Sequence, residues 1–222
     1  MTIDSKIWEK EGQEGVPMLN LDITKTNEAV ERLLKVTENP RHRFILQNFH
    51  RHRYLEIAGR YTEIFVPEMT VEHPVYHFHT KGIKTTLEGR EAVEGLYREW
   101  AETDQCIFYS VDEQVAVADN MIASMVTEYQ QVLGKMLLEG GIQVDDENAM
   151  YLYKSFVEMI WPYDERGRMT GEDIWEVDSS KAEIIKLDPA NIMTVEEAAE
   201  KLNPLIKPLP SFDEEVLHTG PR

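Results

Sequence analysis

The sequence contains a single cysteine, Cys106, in 222 residues. One thiol cannot close a disulfide within the chain, and a thiolate cage around a structural metal is excluded. No apolar run approaches the ~18 residues that a membrane helix needs. The first fifteen residues, MTIDSKIWEKEGQEG, are charged and lack the apolar stretch of a secretory signal. We therefore expect a cytoplasmic protein without a membrane partner.

Positive charge is also scarce, since 23 Lys and Arg face 41 Asp and Glu and give a net charge of −18. Such a surface repels the phosphates of nucleic acids, so we expect no nucleic-acid partner. The sequence has no G-x-G-x-x-G, no G-x-x-x-x-G-K and no G-x-S-x-G. Dinucleotide-binding, P-loop and nucleophile-elbow enzymes therefore have no support. Hydrophobic residues make up 42%, which indicates a globular chain.

The periodicity of the apolar residues predicts helices first and strands later. Apolar residues at helical spacing follow Thr24, and Asn39-Pro40 is typical of a helix start, with Asn as the cap and Pro in the first turn. Thr194 predicts a cap for a last helix at 195–202. A helix is also predicted at 91–101, strands at 71–78, 107–118, 121–133, 151–163, 169–177 and 182–187, and a loop at 82–89. This order of elements is typical of an α+β fold.

Three stretches carry a family resemblance. They are AGRYTEIFVPEMTVEHP at 58–74, LEGREAVEGLYREW at 87–100 and YDERGRMTGEDIWEVD at 163–178. In this order they resemble the nuclear-transport-factor-2-like (SnoaL-like) superfamily. The resemblance implies a cone-shaped, curved antiparallel sheet packed on N-terminal helices around an apolar pocket. It also implies a homo-oligomer, either a dimer or a trimer.

The expected organisation has three parts. An N-terminal arm and helix at 1–39 precede the family domain at 40–190, and a C-terminal helix and Pro-rich tail follow at 191–222. The first and last parts are extensions of the minimal family pattern.

The stretch EHPVYHFHTK, at 72–81, concentrates histidines in a predicted strand. Alternate residues of a strand share a face, so His73, His77 and His79 should point the same way. At ~3.3 Å per residue, His73 and His79 lie about 20 Å apart, too far for one metal with ligand bonds of ~2 Å. The pair His77 and His79 would suit a cupin-type metal site, but no carboxylate follows closely and Lys81 is a poor neighbour for a cation. We expect no metal and no cofactor, with a cupin-type metal enzyme as the rival interpretation.

Histidine can exchange protons near neutral pH, which favours an acid–base site in this strand. The resemblance places His73 at the pocket wall. The residues expected to be catalytic are His73, His79, Lys81 and Tyr129. The residues expected to bind substrate are Arg60, Tyr61, His77, Trp161, Asp173 and Trp175. Each also has an ordinary structural alternative, as a packed aromatic, a satisfied polar group or a solvated charge.

The expected function is a cofactor-independent lyase that acts on a hydrophobic aromatic small molecule by acid–base elimination. Among the long members of the superfamily, the chain resembles the diarylpropane lyases, which expel formaldehyde from a lignin-derived 1,3-diol. Two alternatives stay open: a dehydratase or isomerase of a polycyclic or steroid-like substrate, and a non-catalytic small-molecule-binding subunit.

Overall fold

The computed structural model describes residues 21–211, which form helices and one sheet. The helices are α1 (Glu28–Val36), α2 (Pro40–Ile57), α3 (Arg90–Glu102), α4 (Gly134–Glu139) and α5 (Val195–Leu202). The strands are β1 (Thr70–Thr80), β2 (Ile83–Glu88), β3 (Phe108–Ala118), β4 (Met121–Leu133), β5 (Met150–Pro162), β6 (Met169–Glu176) and β7 (Glu183–Lys186). The α+β class predicted from the sequence is confirmed. None of the helices between residues 21 and 211 is both long and apolar enough to cross a membrane.

The seven strands form one sheet in the order β2-β1-β6-β5-β4-β3, with β7 beside the early part of β5. The pairing is antiparallel except between β1 and β6, which run parallel. Irregular register between Thr70 and Val75 and between Val111 and Gln114 bends the sheet. One face curves around α2 and α3, and the other faces away from them.

The division of the chain at 39/40 and 190/191 stays a prediction. Val30 of α1 belongs to the same apolar cluster as Ile45 and Phe49 of α2. The arm at 1–20 and the tail from 212 onward lie outside the described residues.

Helix α2 begins where the sequence predicts it. The Asn39 side chain accepts hydrogen bonds from the backbone N–H groups of Arg41 and His42, and Pro40 occupies the first turn. Apolar residues such as Phe44 and Phe49 are buried, and so are several polar residues of its second half. The helix is therefore enclosed by the sheet and by its neighbouring helices, and its polar groups need partners inside the protein.

The predicted loop at 82–89 is wrong, because Ile83–Glu88 forms β2. Ile83, Thr85 and Leu87 are half-buried while the residues between them are exposed, which is the pattern of a strand with one wet face. Lys81 and Gly82 form the two-residue turn that joins β1 to β2, and both have positive φ, at 54° and 72°. Glycine suits such a turn, whereas lysine adopts this backbone only at some cost.

The face of the sheet that points away from the helices carries exposed apolar side chains. Met125, Phe156 and Trp175 are 42%, 45% and 38% exposed. They lie on neighbouring strands β4, β5 and β6. We call this the outer face, and the one against α2 and α3 the inner face.

The turn that carries Lys81 rests on the end of α4. A Cβ atom added at Gly82 would collide with the carbonyl oxygen of Gly140, and one added at Gly140 would collide with the carbonyl oxygen of Lys81. Two glycines therefore allow backbone to touch backbone here. This contact fixes where the Lys81 side chain starts.

We expect Gly140→Ala to lower the free energy of unfolding by about 1–3 kcal/mol, because the new methyl group has no space against Lys81. Its matched control is Gly95→Ala in α3, where a Cβ meets only the far end of the Arg98 side chain at 3.9 Å. There alanine should raise stability by about 0.5–1 kcal/mol through helix propensity. Urea denaturation followed by circular dichroism measures both. Equal stability of Gly140→Ala and the wild type would contradict the close contact.

Candidate active site

A cavity of about 270 Å³ lies between the inner face of the sheet, α2 and α3. Its walls are mostly apolar, and a smaller group of ionisable and amide side chains also reaches it. The apolar wall comprises Phe78, Ile83, Leu96, Trp100, Phe108, Val132, Met136, Met159, Trp161 and Ile174. The polar lining comprises Arg53, Glu56, Thr80, Lys81, Thr85, Gln105, Glu128, Gln130 and Glu172.

Strand alternation brings the glutamates into this apolar space. In β4 the even-numbered residues Ile122, Val126, Glu128 and Gln130 are buried on the inner face. In β6, Glu172 points the same way and is 4% exposed. A strand cannot redirect one residue without losing its pattern, so Glu128 and Glu172 are carried inward with their apolar neighbours.

Arg53 of α2 forms a buried ion pair with Glu113 of β3. Its Nη1 donates to both carboxylate oxygens, at 3.0 and 2.9 Å, and its Nη2 donates to Ser110. The guanidinium also lies near the rings of Phe49 and Phe108, 5.1 and 5.8 Å from their centroids. Charges this deeply buried are tolerated only when they are paired. The Arg53 guanidinium is therefore paired with Glu113, and its charge acts on Glu128 and Glu172 only over a longer distance.

The surroundings of Glu172 favour its protonated form. Burial raises the pKa of Glu172 well above its ordinary value, and the negative charges of Glu56 and Glu128 raise it further. Arg53 acts in the opposite direction without overcoming them. A neutral carboxyl group in an apolar cavity is a proton donor at neutral pH.

Lys81 and Glu128 form an acid–base pair beside the cavity. The Lys81 Nζ atom lies 3.9 Å from Glu128 Oε1, and the two side chains are 14% and 11% exposed. Burial raises the pKa of Glu128 and lowers that of Lys81, although each charge partly stabilises the other. Both shifts bring proton exchange closer to neutral pH.

Glu176 and Tyr153 position Lys81. One oxygen of Glu176 accepts the Lys81 backbone N–H at 3.0 Å, and the other accepts the Tyr153 hydroxyl at 2.7 Å. The Tyr153 ring then lies beneath the lysine, with Nζ 5.5 Å from its centroid. A lysine in a left-handed backbone conformation persists only where its surroundings hold it, and these contacts do so together with Gly140.

A histidine missed by the sequence analysis sits behind the cavity wall. His52 Nε2 lies 3.1 Å from the Tyr97 hydroxyl and 3.6 Å from Glu56 Oε2. Its ring packs edge-on against Trp161, with centroids 5.1 Å apart. His52 thus links Glu56, which lines the cavity, to the buried Tyr97.

Of the residues predicted from the sequence, Lys81 and Trp161 line the cavity. The structure places His73, His77 and His79 together on the outer face of β1, because Tyr76 and Phe78 take the buried positions. The expected location of His73 at the pocket wall is therefore corrected. Acid–base catalysis by His73 and His79 has no support from the cavity geometry.

The outer-face histidines have partners of their own. His77 pairs with Asp173 across the parallel strands, and His79 packs edge-on against Trp175 with ring centroids 6.0 Å apart. Asp173 and Trp175, which the sequence analysis expects to bind substrate, therefore contact the outer-face histidines and do not line the cavity.

The remaining predicted residues also lie elsewhere. Tyr129 is buried on the side of β4 opposite Glu128, under the Lys154 ammonium. Tyr61 is half-buried in the short helix that follows α2. Arg60 pairs with Glu63 and donates to Asn203.

Glu56, Glu128 and Glu172 were not predicted as site residues. The available signal was their register: Glu128 continues the apolar series Ile122 and Val126, and Glu172 precedes Ile174 by two positions. A carboxylate on the apolar face of a strand is the pattern that would have identified them.

No group of three or more His, Cys, Asp or Glu between residues 21 and 211 is arranged to hold a metal ion. No sequence motif and no structural feature of the cavity walls singles out an organic cofactor. The polar groups that line the cavity are carboxyl, amide, hydroxyl, guanidinium and ammonium groups of the chain itself.

No family model matches the chain, and no curated protein matches it. Solved structures with a similar fold include Bal32a from a soil-derived mobile gene cassette, with 12% identity, a TM-score of 0.44, and coverage of 62% of this chain and 92% of that one. A second is the epoxide hydrolase/cyclase-like enzyme SalBIII, with 10% identity, a TM-score of 0.43, and coverage of 69% and 97%. A third is an NTF2-like protein with a cystatin-like fold from Novosphingobium aromaticivorans, with 15% identity, a TM-score of 0.35, and coverage of 72% and 93%. Scores this low transfer neither an activity nor site residues to this chain.

The raised pKa of Glu172 predicts how stability changes with pH. The raised pKa keeps Glu172 protonated in the folded protein to a higher pH than in the unfolded chain, where the carboxyl group ionises at its ordinary pKa of 4.5. Ionisation therefore stabilises the unfolded state, and this effect grows as the pH rises above about 4.5. We expect Glu172→Gln to match the wild type in acid and to become progressively more stable than it toward neutral pH. Urea unfolding across a pH series measures the difference.

The matched control for this series is Glu158→Gln, because Glu158 is exposed on the outer face of β5. It should reproduce the pH dependence of the wild type. A constant offset between Glu172→Gln and the wild type at every pH would contradict a protonated Glu172.

Proposed function

We propose that this protein is a cofactor-independent acid–base enzyme that eliminates a small group from, or isomerises, a neutral hydrophobic molecule. The observation that carries the proposal is the coexistence, in one apolar cavity, of a protonated carboxyl group and a lysine–glutamate pair. Groups with pKa values pushed away from their ordinary range cluster at catalytic sites. A cavity that only stored a hydrophobic ligand would gain nothing from burying these ionisable groups, since each costs free energy to bury.

The proposed step divides the work among three cavity residues. Glu128 takes a proton from the substrate, because burial makes its carboxylate a stronger base than an exposed one. Glu172 gives a proton to the departing group or to the carbon that receives the new hydrogen. Lys81 stabilises the negative charge that develops on a substrate oxygen in between. The role of Glu56 is to keep Glu172 protonated by repulsion.

The size and charge of the cavity define the substrate. A protein cavity of about 150 Å³ holds benzene, so about 270 Å³ suits one or two rings. The negative charges of Glu56 and Glu128 disfavour an anion, since Arg53 is already paired with Glu113. Deformylation of a diarylpropane diol stays a finer proposal. Its two aryl groups are large for this volume, so such a substrate would have to extend beyond the cavity.

The test is a turnover assay on a panel of hydroxylated one- and two-ring aromatics together with a diaryl 1,3-diol. Mass spectrometry detects loss of water or formaldehyde, and NMR detects isomers. We expect turnover by protein stripped with a chelator. Glu172→Gln and Glu128→Gln should each lower kcat/KM by about 10²–10⁴-fold, because each removes one proton-transfer group.

Three outcomes would contradict the proposal. Activity lost on chelation and restored by a metal would favour the cupin-type alternative. A loss in His79→Ala equal to that in Glu172→Gln would favour the outer-face histidines. Binding without turnover across the whole panel would favour a carrier. Lys84→Met, at an exposed position of β2, is the control for substitution of a nearby lysine.

A further inference from the structure

The Lys81 amine reaches a mostly apolar cavity and has no close hydrogen-bonding partner among the described residues. Its nearest carboxylate oxygen, Glu128 Oε1, is 3.9 Å away, and no hydrogen bond joins Nζ to another residue between 21 and 211. The other groups around it are the Tyr153 ring and the Glu176 carboxylate, which binds the backbone of Lys81. The amine therefore projects into the cavity with its approach unobstructed by a tight salt bridge.

We infer that Lys81 is a nucleophile that forms an imine with an aldehyde or ketone bound in the cavity. The inference deepens the proposed function, on which it rests for the use of the cavity as a substrate site, by naming carbonyl compounds as the substrate class. Lysine reacts with carbonyl carbon only in its uncharged form, and an apolar pocket is the environment that favours that form.

The lowered pKa of Lys81 agrees with this geometry. Burial is the main cause, and the negative charges of Glu128 and Glu176 oppose it. Tyr153 also faces the amine, but burial and its hydrogen bond to Glu176 raise the pKa of the phenol, so it adds no charge at neutral pH. A larger share of Lys81 is therefore uncharged near neutral pH than of an exposed lysine.

The cavity supplies both proton transfers that the step requires. Nζ bonds to the carbonyl carbon, and the carbonyl oxygen takes the proton of Glu172. Glu128 accepts one proton from the nitrogen to give a neutral carbinolamine. The nitrogen lone pair then expels the hydroxyl group, which leaves as water with the proton returned by Glu128. The resulting iminium ion keeps the second amine proton, and the Glu172 carboxylate balances its charge.

For a carbonyl substrate, the iminium ion replaces the Lys81 ammonium in the proposed step, because it takes up the developing negative charge itself. It withdraws electrons from the neighbouring carbon more strongly than a carbonyl group, so a proton or a small group on that carbon leaves more easily. The ligand class is thus a neutral aldehyde or ketone of one or two rings, in contact with Trp100 and Phe108. An additional carboxylate on the ligand would face the cavity glutamates and should prevent binding.

The experiment uses the full chain, benzaldehyde as the probe and sodium cyanoborohydride as the reductant that traps the imine. Near neutral pH, peptide mapping by mass spectrometry should find one benzyl group at Lys81, formed roughly tenfold or more faster than at the exposed Lys84. With the negatively charged 4-carboxybenzaldehyde, Lys81 should not be labelled faster than Lys84.

Labelling of Lys84 as fast as Lys81, or no label at Lys81, would overturn the inference. Lys81→Met must remove the fast adduct while its circular dichroism matches the wild type, and a fast adduct that persists would also overturn it. The assay needs no turnover, so its result is separate from the proposed function. An adduct without turnover of any panel compound would support the imine and count against the enzyme. Turnover of a panel compound without an adduct at Lys81 would support the enzyme and count against the imine.

Discussion

The buried ion pair between Arg53 and Glu113 is the interaction on which the cavity depends. It joins α2 to β3 across the interior. Arg53 also donates a hydrogen bond to Ser110 and packs near the rings of Phe49 and Phe108. Because the arginine charge is used there, Glu56, Glu128 and Glu172 share the cavity with a single further cation among its described lining residues, Lys81. Three carboxyl groups and one amine cannot all be charged in an apolar space. Burial accordingly raises the pKa of Glu172 and of Glu128 and lowers that of Lys81.

Most of the fold could be predicted because periodicity and capping are local. Asn39-Pro40 and Thr194 mark helix starts that the structure reproduces, the latter with a full capping box. Strand β2 was missed because a lysine occupies the first position of its turn, where asparagine or glycine is typical. The parallel pairing of β1 with β6 joins residues nearly a hundred positions apart, and no local pattern encodes such a pairing.

The site was harder to predict, for a reason visible in β1. Both faces of this strand carry chemically plausible residues, with His77 and His79 on one and Tyr76 and Phe78 on the other. Alternation groups the residues correctly, but only the packing partner decides which group is inside. Lys81 was found because it follows the strand directly. Glu172 was not, since a glutamate is by default expected in water. The charged groups that shift its pKa include Glu56 and Arg53, more than a hundred residues earlier in the chain, which no local pattern reveals.

The exposed apolar side chains of the outer face have a consequence for how the protein behaves at high concentration. Met125, Phe156 and Trp175 favour contact between molecules, while the net charge of −18 keeps molecules apart. The repulsion fades as the pH approaches the isoelectric point of about 4.8, but the attraction does not. Colloidal stability should therefore be lowest in mild acid, and added salt should weaken it at neutral pH by screening the charges.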